Sequence, residues 1–314
     1  MRPLFKVQRG SPLTLVVDPG RYGFLHLGIP TSGAMDRLSL ELGNLALGNV
    51  ADAPGLEITM IGPVLDALAD ADILITGADL SPSLNGSPVP VDTVLHVEAG
   101  DRLAFGKPVR GCRAYVLVAG GVSGPLQMGS VSPISSVLPN QTVTGDLYGP
   151  AGARAEINSR GLRALALWRG YWSSDGPVHF VWGPQSERFA ENAKLTFLRS
   201  PYRVTPNSNR VGLTLEGPRL EALESLECLS DPSPLGAIQV PPEGVPLILL
   251  NDRGSVGGYA KIGTVVSYDC WRLGQVAPGA SVTFESVDPE AGLPEQGALR
   301  EAIRTRIELG KAAG

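Results

Sequence analysis

The sequence predicts a mainly β protein with a few helices, built as two modules that carry an internal duplication. Three observations lead there. The 39 glycines and 27 prolines make up about a fifth of the 314 residues, against an ordinary share of about 12%. Short apolar runs bounded by turn residues recur along the chain. Two segments of the first half are echoed in the second. The punctuation excludes a helical bundle, a coiled coil and a collagen-like rod, while 43% apolar residues still supply a large core. At roughly 100 to 200 residues per domain the length gives two domains.

The strands are expected at residues 13–17, 73–76, 95–97, 114–119, 179–182, 245–250, 264–267 and 281–284, each rich in Val, Ile, Leu, Thr or aromatic residues and flanked by Gly or Pro. Such spacing favours antiparallel sheets or closed barrels over alternating strand and helix units. Three helices are expected. The first covers about 34–47, where Met35, Leu38, Leu42 and Leu45 recur at helical steps, Ser32 is a candidate cap and Gly48-Asn49 a stop. The second starts near Pro184 and ends before Pro201. The third is C-terminal, with Leu299, Ile303 and Ile307 on one face. The echoes are Leu56-Glu57 through Gly62-Pro63 against Leu215-Glu216-Gly217-Pro218, and Val97 to Phe105 against Val276 to Phe284. Together these give an N-terminal module at 1–150 with one helix, a joint at 151–176, a C-terminal module at 177–290 and a helical tail at 291–314.

With 26 basic and 31 acidic residues, the net charge is -5 and no basic stripe exists for a phosphate backbone, so no nucleic acid partner is expected. The longest uncharged stretch, 114–145, is too rich in Gly, Ser, Pro, Gln and Asn to span a membrane. Lys6 stands where the apolar core of a secretory signal would begin. Cys112, Cys228 and Cys270, odd in number and far apart, fit reduced thiols, and a cytoplasmic location is expected.

The familiar phosphate-loop, dinucleotide, zinc-protease and hydrolase-elbow motifs are all missing, and no metal site is expected. His96 and His179 fall inside strand patterns and read as structural, whereas His26 lies in a loop. Two loops concentrate polar residues that a turn does not need. In the first, residues 18–36, Arg21, His26, Ser32 and Asp36 offer charge, a proton carrier and hydrogen bonds beside glycines and a helix start. The structural alternative has Ser32 and Asp36 capping the helix and Arg21 paired with Asp18. The second, residues 251–261, follows the most apolar strand and delivers Asp252, Arg253, Ser255, Gly257-Gly258, Tyr259 and Lys261 within ten residues. Its alternative is a hairpin with a surface pair between Asp252 and Arg253.

These residues carry a resemblance. Gly28-Ile29-Pro30-Thr31-Ser32-Gly33-Ala34-Met35-Asp36, Leu56-Glu57-Ile58, Gly111-Cys112-Arg113-Ala114-Tyr115 with Ala119-Gly120-Gly121, Trp182-Gly183-Pro184-Gln185, Ser208-Asn209-Arg210-Val211-Gly212, Leu235-Gly236-Ala237-Ile238-Gln239-Val240-Pro241, and Asp252-Arg253 with Gly257-Gly258-Tyr259-Ala260-Lys261-Ile262 occur in one order over residues 13–287. In that order they closely resemble the family variously called allophanate hydrolase subunit 2, carboxyltransferase subdomains A and B, or the C-type subunit of 5-oxoprolinase. The resemblance implies two β-barrel modules similar to the cyclophilin barrel. It also implies a B-type partner subunit, in a heterodimer or heterotetramer, and a third, A-type subunit, which together cleave 5-oxoproline to glutamate. ATP is used by such a complex, and no cofactor is assigned to this chain.

On this reading Arg253 and Lys261 bind an anion and a developing oxyanion, Asp252 orients them, and His26 acts as acid or base. Arg21, Ser32, Asp36, Ser255, Tyr259 and Arg210 contact the substrate. Two other readings stay open: a regulatory binding protein that antagonises a partner of the kinase-inhibitor type, and the carboxyltransferase half of a urea carboxylase or allophanate-type system. The chain has no Met-Lys-Met carrier site for biotin and no Ser-Ser-Lys amidase core. It departs from the family at Gly129-Ser130-Val131-Ser132-Pro133, where Gly-Ser-Arg-Ser-Thr is usual, and at Gly254, where a Gln is usual.

Overall fold

The apolar runs form strands, and the strands assemble into three sheets among the described residues. The computed structural model describes residues 2–11, 13–134, 143, 145–289 and 297–312. The chain divides into two compact units. One comprises Met1–Arg21, Ser32–Ser173 and Glu295–Gly314, the other Tyr22–Thr31 and Ser174–Pro294. Five α-helices are present among the described residues: α1 (Arg37–Leu47), α2 (Ser159–Trp172), α3 (Glu191–Arg199), α4 (Ser267–Leu273) and α5 (Gly297–Ala312). None is long and apolar enough to cross a membrane.

The first unit holds two antiparallel sheets. One runs in the order Thr14–Val17, Gly55–Thr59, Arg110–Val118, Ala71–Asp79, Val94–Val97. The other runs Asp146–Gly149, Arg2–Arg9, Val64–Ala67, Arg102–Ala104, Ser83–Leu84, Ser87–Pro88. Leu4, Phe5, Leu65, Leu103 and Leu147 of the second sheet share one core with Ile58, Ile73, Ile75 and Val116 of the first. Residues 114–119 read as an unbroken apolar run because both faces of this strand are buried. Val116 faces the core, and the alternate residue Leu117 lies under α1. A Cβ on Gly43 would fall 2.4 Å from Leu117 Cδ1 and 2.8 Å from Thr76 Cγ2, so glycine lets the helix settle on the sheet. Thr76 Oγ1 donates to the Ser39 carbonyl at 3.0 Å in the same contact.

Helix α1 starts later than its apolar periodicity suggests. Asp36, not Ser32, is the cap: its Oδ1 accepts from Ser39 N at 3.0 Å and its Oδ2 from Ser39 Oγ at 2.6 Å. Ser32 has φ 53°, outside the extended conformation a cap needs. Residues 151–176, expected as a joint, carry α2 within the first unit. Asn158 caps α2 through bonds from Arg160 N and Gly161 N, and Ala164, Leu165, Trp168 and Trp172 bury its inner face. Helix α5 packs on α2 and α1. It buries Leu299, Ala302 and Thr305, while Ile307, expected on one face with Leu299, is 43% exposed. Arg306 instead reaches Glu41 of α1, Nε to Oε2 at 2.6 Å and Nη2 to Oε1 at 3.0 Å.

The second unit is one barrel-like sheet. Its order is Ser281–Val282, Tyr202–Val204, Gly212–Glu216, Leu247–Leu249, Ala237–Val240, Val256–Val265, Val178–Trp182, Phe284–Ser286, with Glu227–Pro232 added along Val256–Val265. The two ends of this order are neighbours in the chain. Residues 281–282 pair with one edge and residues 284–286 with the other, so a single segment nearly closes the barrel. Phe197 stacks on Phe284 at 4.4 Å between ring centroids and meets Phe180 edge-on at 5.2 Å inside it. The stretch expected to be one helix from Pro184 is a single turn at Ser186–Arg188 followed by α3.

One sequence echo has the same local structure in both units. Gly100 N donates to the Ala67 carbonyl and Ala67 N to that of Asp101. In the other unit Gly279 N donates to Val204 and Val204 N to Ala280, all four at 2.8 Å. Both glycines are left-handed, with φ 99° and 91°. This echo is thus matched in local hydrogen bonding as well as in letters.

Candidate functional site

The buried strand Leu247–Leu249 delivers the second polar loop. The chain reverses where Arg253 N bonds to the Leu250 carbonyl at 3.1 Å, and it is latched to its neighbour by Leu250 N to Val211 O and Asp252 N to Arg210 O. Asp252 is 1% exposed and takes both arms of Arg210, Nε to Oδ2 at 2.8 Å and Nη2 to Oδ1 at 3.3 Å. This fork joins two turns. Asp252 thus orients Arg210, whereas the sequence had it orient Arg253 and Lys261; nor is it half of a surface pair.

Arg253 is different. It is 4% exposed, its Nε donates to the Ser233 carbonyl at 2.8 Å and its Nη1 reaches the Leu250 carbonyl at 3.5 Å. No carboxylate among the described residues comes within 4.0 Å of it. Burial pulls its pKa down, yet a guanidinium keeps its charge in proteins. The nearby Cys270 thiol, pushed up to about 12 chiefly by burial, stays neutral and gives no compensation. A buried cation without an anion is costly and calls for one.

Lys261 lies on strand Val256–Val265 and is also buried, but its ammonium is paired with Asp231, a partner the sequence reading did not name. Gln185 ties both: its Nε2 donates to Asp231 Oδ2 and its Oε1 accepts from Lys261 N, each at 3.3 Å. Tyr259, two residues before Lys261 and therefore on the same strand face, is 39% exposed. Ser255 is part-buried and its carbonyl accepts from Ser233 N at 2.9 Å. His26 belongs to this unit, in a single turn at Leu25–Leu27, where it is exposed and has no hydrogen bond or ion pair to any described residue.

Arg21, Ser32 and Asp36 fall in the first unit. Arg21 does not pair with Asp18. Both hold the loop at residues 127–132: Arg21 donates to the carbonyls of Gln127 and Ser132, and Asp18 accepts from Ser130 Oγ at 2.6 Å, Ser132 Oγ at 2.8 Å and Val131 N at 2.8 Å. The two serines of the Gly-Ser-Val-Ser-Pro segment thus shape the loop. Val131, where the family usually has Arg, lines a cavity of about 520 Å³ with Val16, Pro133, Val143, Leu147 and Tyr148.

Asp36 is fully buried. Besides capping α1 it accepts from Trp168 Nε1 at 2.8 Å, and its own N–H donates to Tyr115 OH at 2.8 Å. Tyr115 in turn donates to Glu57 Oε2 at 2.8 Å, which also accepts from Met35 N. Burial, with Glu57 and Asp36 close by, pushes the Tyr115 hydroxyl well above its usual range, so it remains a donor. This network braces the helix start. Ser32 is buried nearby in the chain with its left-handed backbone. Among the described residues no three His, Cys, Asp or Glu side chains converge as a metal would require.

The site residues that sequence reasoning passed over are Gln185, Asp231, Ser233 and Gln239. Gln185 and Gln239 stood inside motifs already singled out, but as letters of a pattern; their partners come from strands far apart in the chain.

The second unit is a barrel-like β module with a polar loop at its strand ends. The chain belongs to the family described as carboxyltransferase domain, subdomain A and B, whose model matches residues 27–286. It is 33% identical over 297 residues to the C-type subunit of 5-oxoprolinase from Escherichia coli (strain K12), covering 92% of this chain and 93% of that one. Among solved structures it is similar to TTHA0988, with a TM-score of 0.78 and 35% identity over 90% of this chain, and spans 55% of that longer chain. It is also similar to the K. lactis urea amidolyase, with a TM-score of 0.85 and 26% identity over 100% of this chain but 20% of the other.

Proposed function

We propose that this chain is the C-type subunit of an ATP-dependent 5-oxoprolinase, a hydrolase opening the ring amide of 5-oxoproline to glutamate in complex with a B-type and an A-type subunit. The observation that carries the reading is coverage. The chain accounts for 93% of a relative named as a separate 5-oxoprolinase subunit, and for only 20% of the urea amidolyase that its fold also matches. A subunit of this extent works in an assembly. The longer TTHA0988 chain, of which it spans 55%, is consistent with a second polypeptide of similar size being joined or bound.

Arg253 supports the substrate class. A buried guanidinium without a carboxylate suits the carboxylate of an amino acid derivative, and the part-exposed Tyr259 stands on the strand that follows, its hydroxyl available to a ring carbonyl. In the reaction water adds to that carbonyl, the C–N bond breaks and the ring nitrogen takes a proton. ATP is assigned to the complex and to no residue of this chain.

The test is reconstitution with the B-type and A-type subunits. The expected result is glutamate formed from 5-oxoproline only when this chain, its partners and ATP are all present. Equal rates without this chain would refute the assignment. A second reading, carboxyl transfer in a urea carboxylase-type system, is favoured by the TM-score of 0.85 to a urea amidolyase. It predicts bicarbonate-dependent carboxylation of urea with a separate biotinylated carrier, and no turnover of 5-oxoproline.

A further inference from the structure

Ser233 and Gln239 are 4% and 5% exposed, and neither Ser233 Oγ nor Gln239 Nε2 has a hydrogen-bond partner among the described residues. Buried polar atoms are nearly always paired, so two unpaired ones at one place need a reason. They meet at Gly257. A Cβ there would lie 2.3 Å from Gln239 Nε2 and 2.9 Å from Ser233 Oγ. The glycine is not left-handed. It is required for space. Both atoms therefore converge on a patch of backbone without a side chain, and Gln239 supplies up to two N–H donors to it.

The same residue, Ser233, holds Arg253: its carbonyl accepts the guanidinium Nε at 2.8 Å. A hydroxyl and a buried cation without a carboxylate thus belong to two turns tied together at Ser233. Lys261, opposite Gln239 in the ladder, is taken up by Asp231, whose carboxylate is turned to Lys261 and Gln185. The local charge left to be balanced is that of Arg253.

We propose that Ser233 Oγ, Gln239 Nε2 and the Arg253 guanidinium form an oxyanion subsite beside Gly257 that takes the carboxylate of a small ligand. The inference rests on Arg253 as the anion binder of the proposed reading and adds the residues that complete the subsite. A planar carboxylate suits this set because the guanidinium fork matches its two oxygens and the neutral donors take the remaining lone pairs. Ser233 and Gln239 position and select the ligand, and Gly257 lets both side chains settle against its backbone.

The experiment is calorimetric titration of the chain, alone and with its B-type partner, using 5-oxoproline, its uncharged amide 5-oxoprolinamide, and inorganic phosphate. The wild type should bind the acid at least tenfold more tightly than the amide or phosphate. Gln239→Glu keeps the shape but presents an anion with no N–H, and should weaken acid binding about tenfold or more. Gly257→Ala, whose methyl would displace Gln239 Nε2 and Ser233 Oγ, should do the same, and Ser233→Ala should weaken it less. Circular dichroism of each variant checks folding, and Gln239→Glu is the decisive one should Gly257→Ala fail to fold. Equal binding of acid and amide, tighter binding of phosphate, no binding in either form, or unchanged affinity in Gln239→Glu would each overturn the subsite. If the carboxylate binds as expected while the reconstituted complex leaves 5-oxoproline intact, the reaction assignment fails and the subsite stands. If the complex turns over and Gln239→Glu leaves KM unchanged, the reverse holds.

Discussion

Replacing Arg210 and Arg253 separately by Met should give opposite results, although both are buried arginines of the same unit. Arg210 neutralises Asp252, which is 1% exposed. Its removal strands a carboxylate in the interior, at a cost of about 3–5 kcal/mol. Arg253→Met loses one good hydrogen bond to a carbonyl and one long one, about 1–3 kcal/mol for a charged donor. It also removes a guanidinium buried without a carboxylate, whose desolvation costs several kcal/mol. The two nearly cancel, so Arg253→Met should lie within about 1 kcal/mol of the wild type or above it. Urea unfolding followed by tryptophan fluorescence reads both variants on the same unit. In the reconstituted complex the order reverses: Arg253→Met should raise KM for 5-oxoproline roughly 10- to 150-fold, the equivalent of about 1.5–3 kcal/mol. An Arg253→Met variant as unstable as Arg210→Met, with KM unchanged, would make Arg253 a structural clamp and remove its anion-binding role.

Asp36→Ala removes the α1 cap and leaves Trp168 Nε1 without its acceptor; a loss of about 2–4 kcal/mol from the first unit is expected, read as a lower denaturation midpoint. Burial raises the thiol pKa of Cys112 and takes that of Cys270 to about 12. Iodoacetamide at pH 8 should therefore modify the part-buried Cys228 and spare the other two until urea is added, as peptide mass mapping will show. Burial also raises Tyr202 to about 12 and lifts Tyr115 and Tyr268 above their usual values. Folding favours their protonated forms, so their contribution is complete below pH 10 and is lost as pH rises toward and past 12. Urea midpoints should be flat up to pH 10 and fall beyond it.

Much of the fold was legible because its signals are local. Each apolar run bounded by Gly or Pro holds all or part of a strand, although 264–267 leaves its strand after Val265 and opens α4 at Ser267, and the turn around Gly100 shares its hydrogen-bond pattern with its echo at Gly279. Helix α2 was hidden by Gly161 and Gly170 inside it and by Gly and Ser at its flanks, although the spacing of Leu165, Trp168 and Trp172 is helical. The boundary between units also escaped, since α5 and residues 22–31 join units remote in sequence. At the site, the loop 251–261 identified Arg253 and Lys261, but nothing near them names Asp231, Ser233 or Gln185. Those partners arrive through strand pairing, and only the register shows that Arg253 lacks a counter-charge while Lys261 has one. Asp36 and Arg21 looked functional for their polarity. Their polarity serves a helix cap and a loop clamp.

The decisive measurement is ATP-dependent glutamate release from 5-oxoproline by this chain reconstituted with its B-type and A-type subunits, made on the wild type and on Arg253→Met. Turnover should be saturable, absent without this chain, and dependent on a much higher substrate concentration in the variant. Turnover that proceeds without the chain, or a complex that is inert toward 5-oxoproline while carboxylating urea, would overturn the assignment.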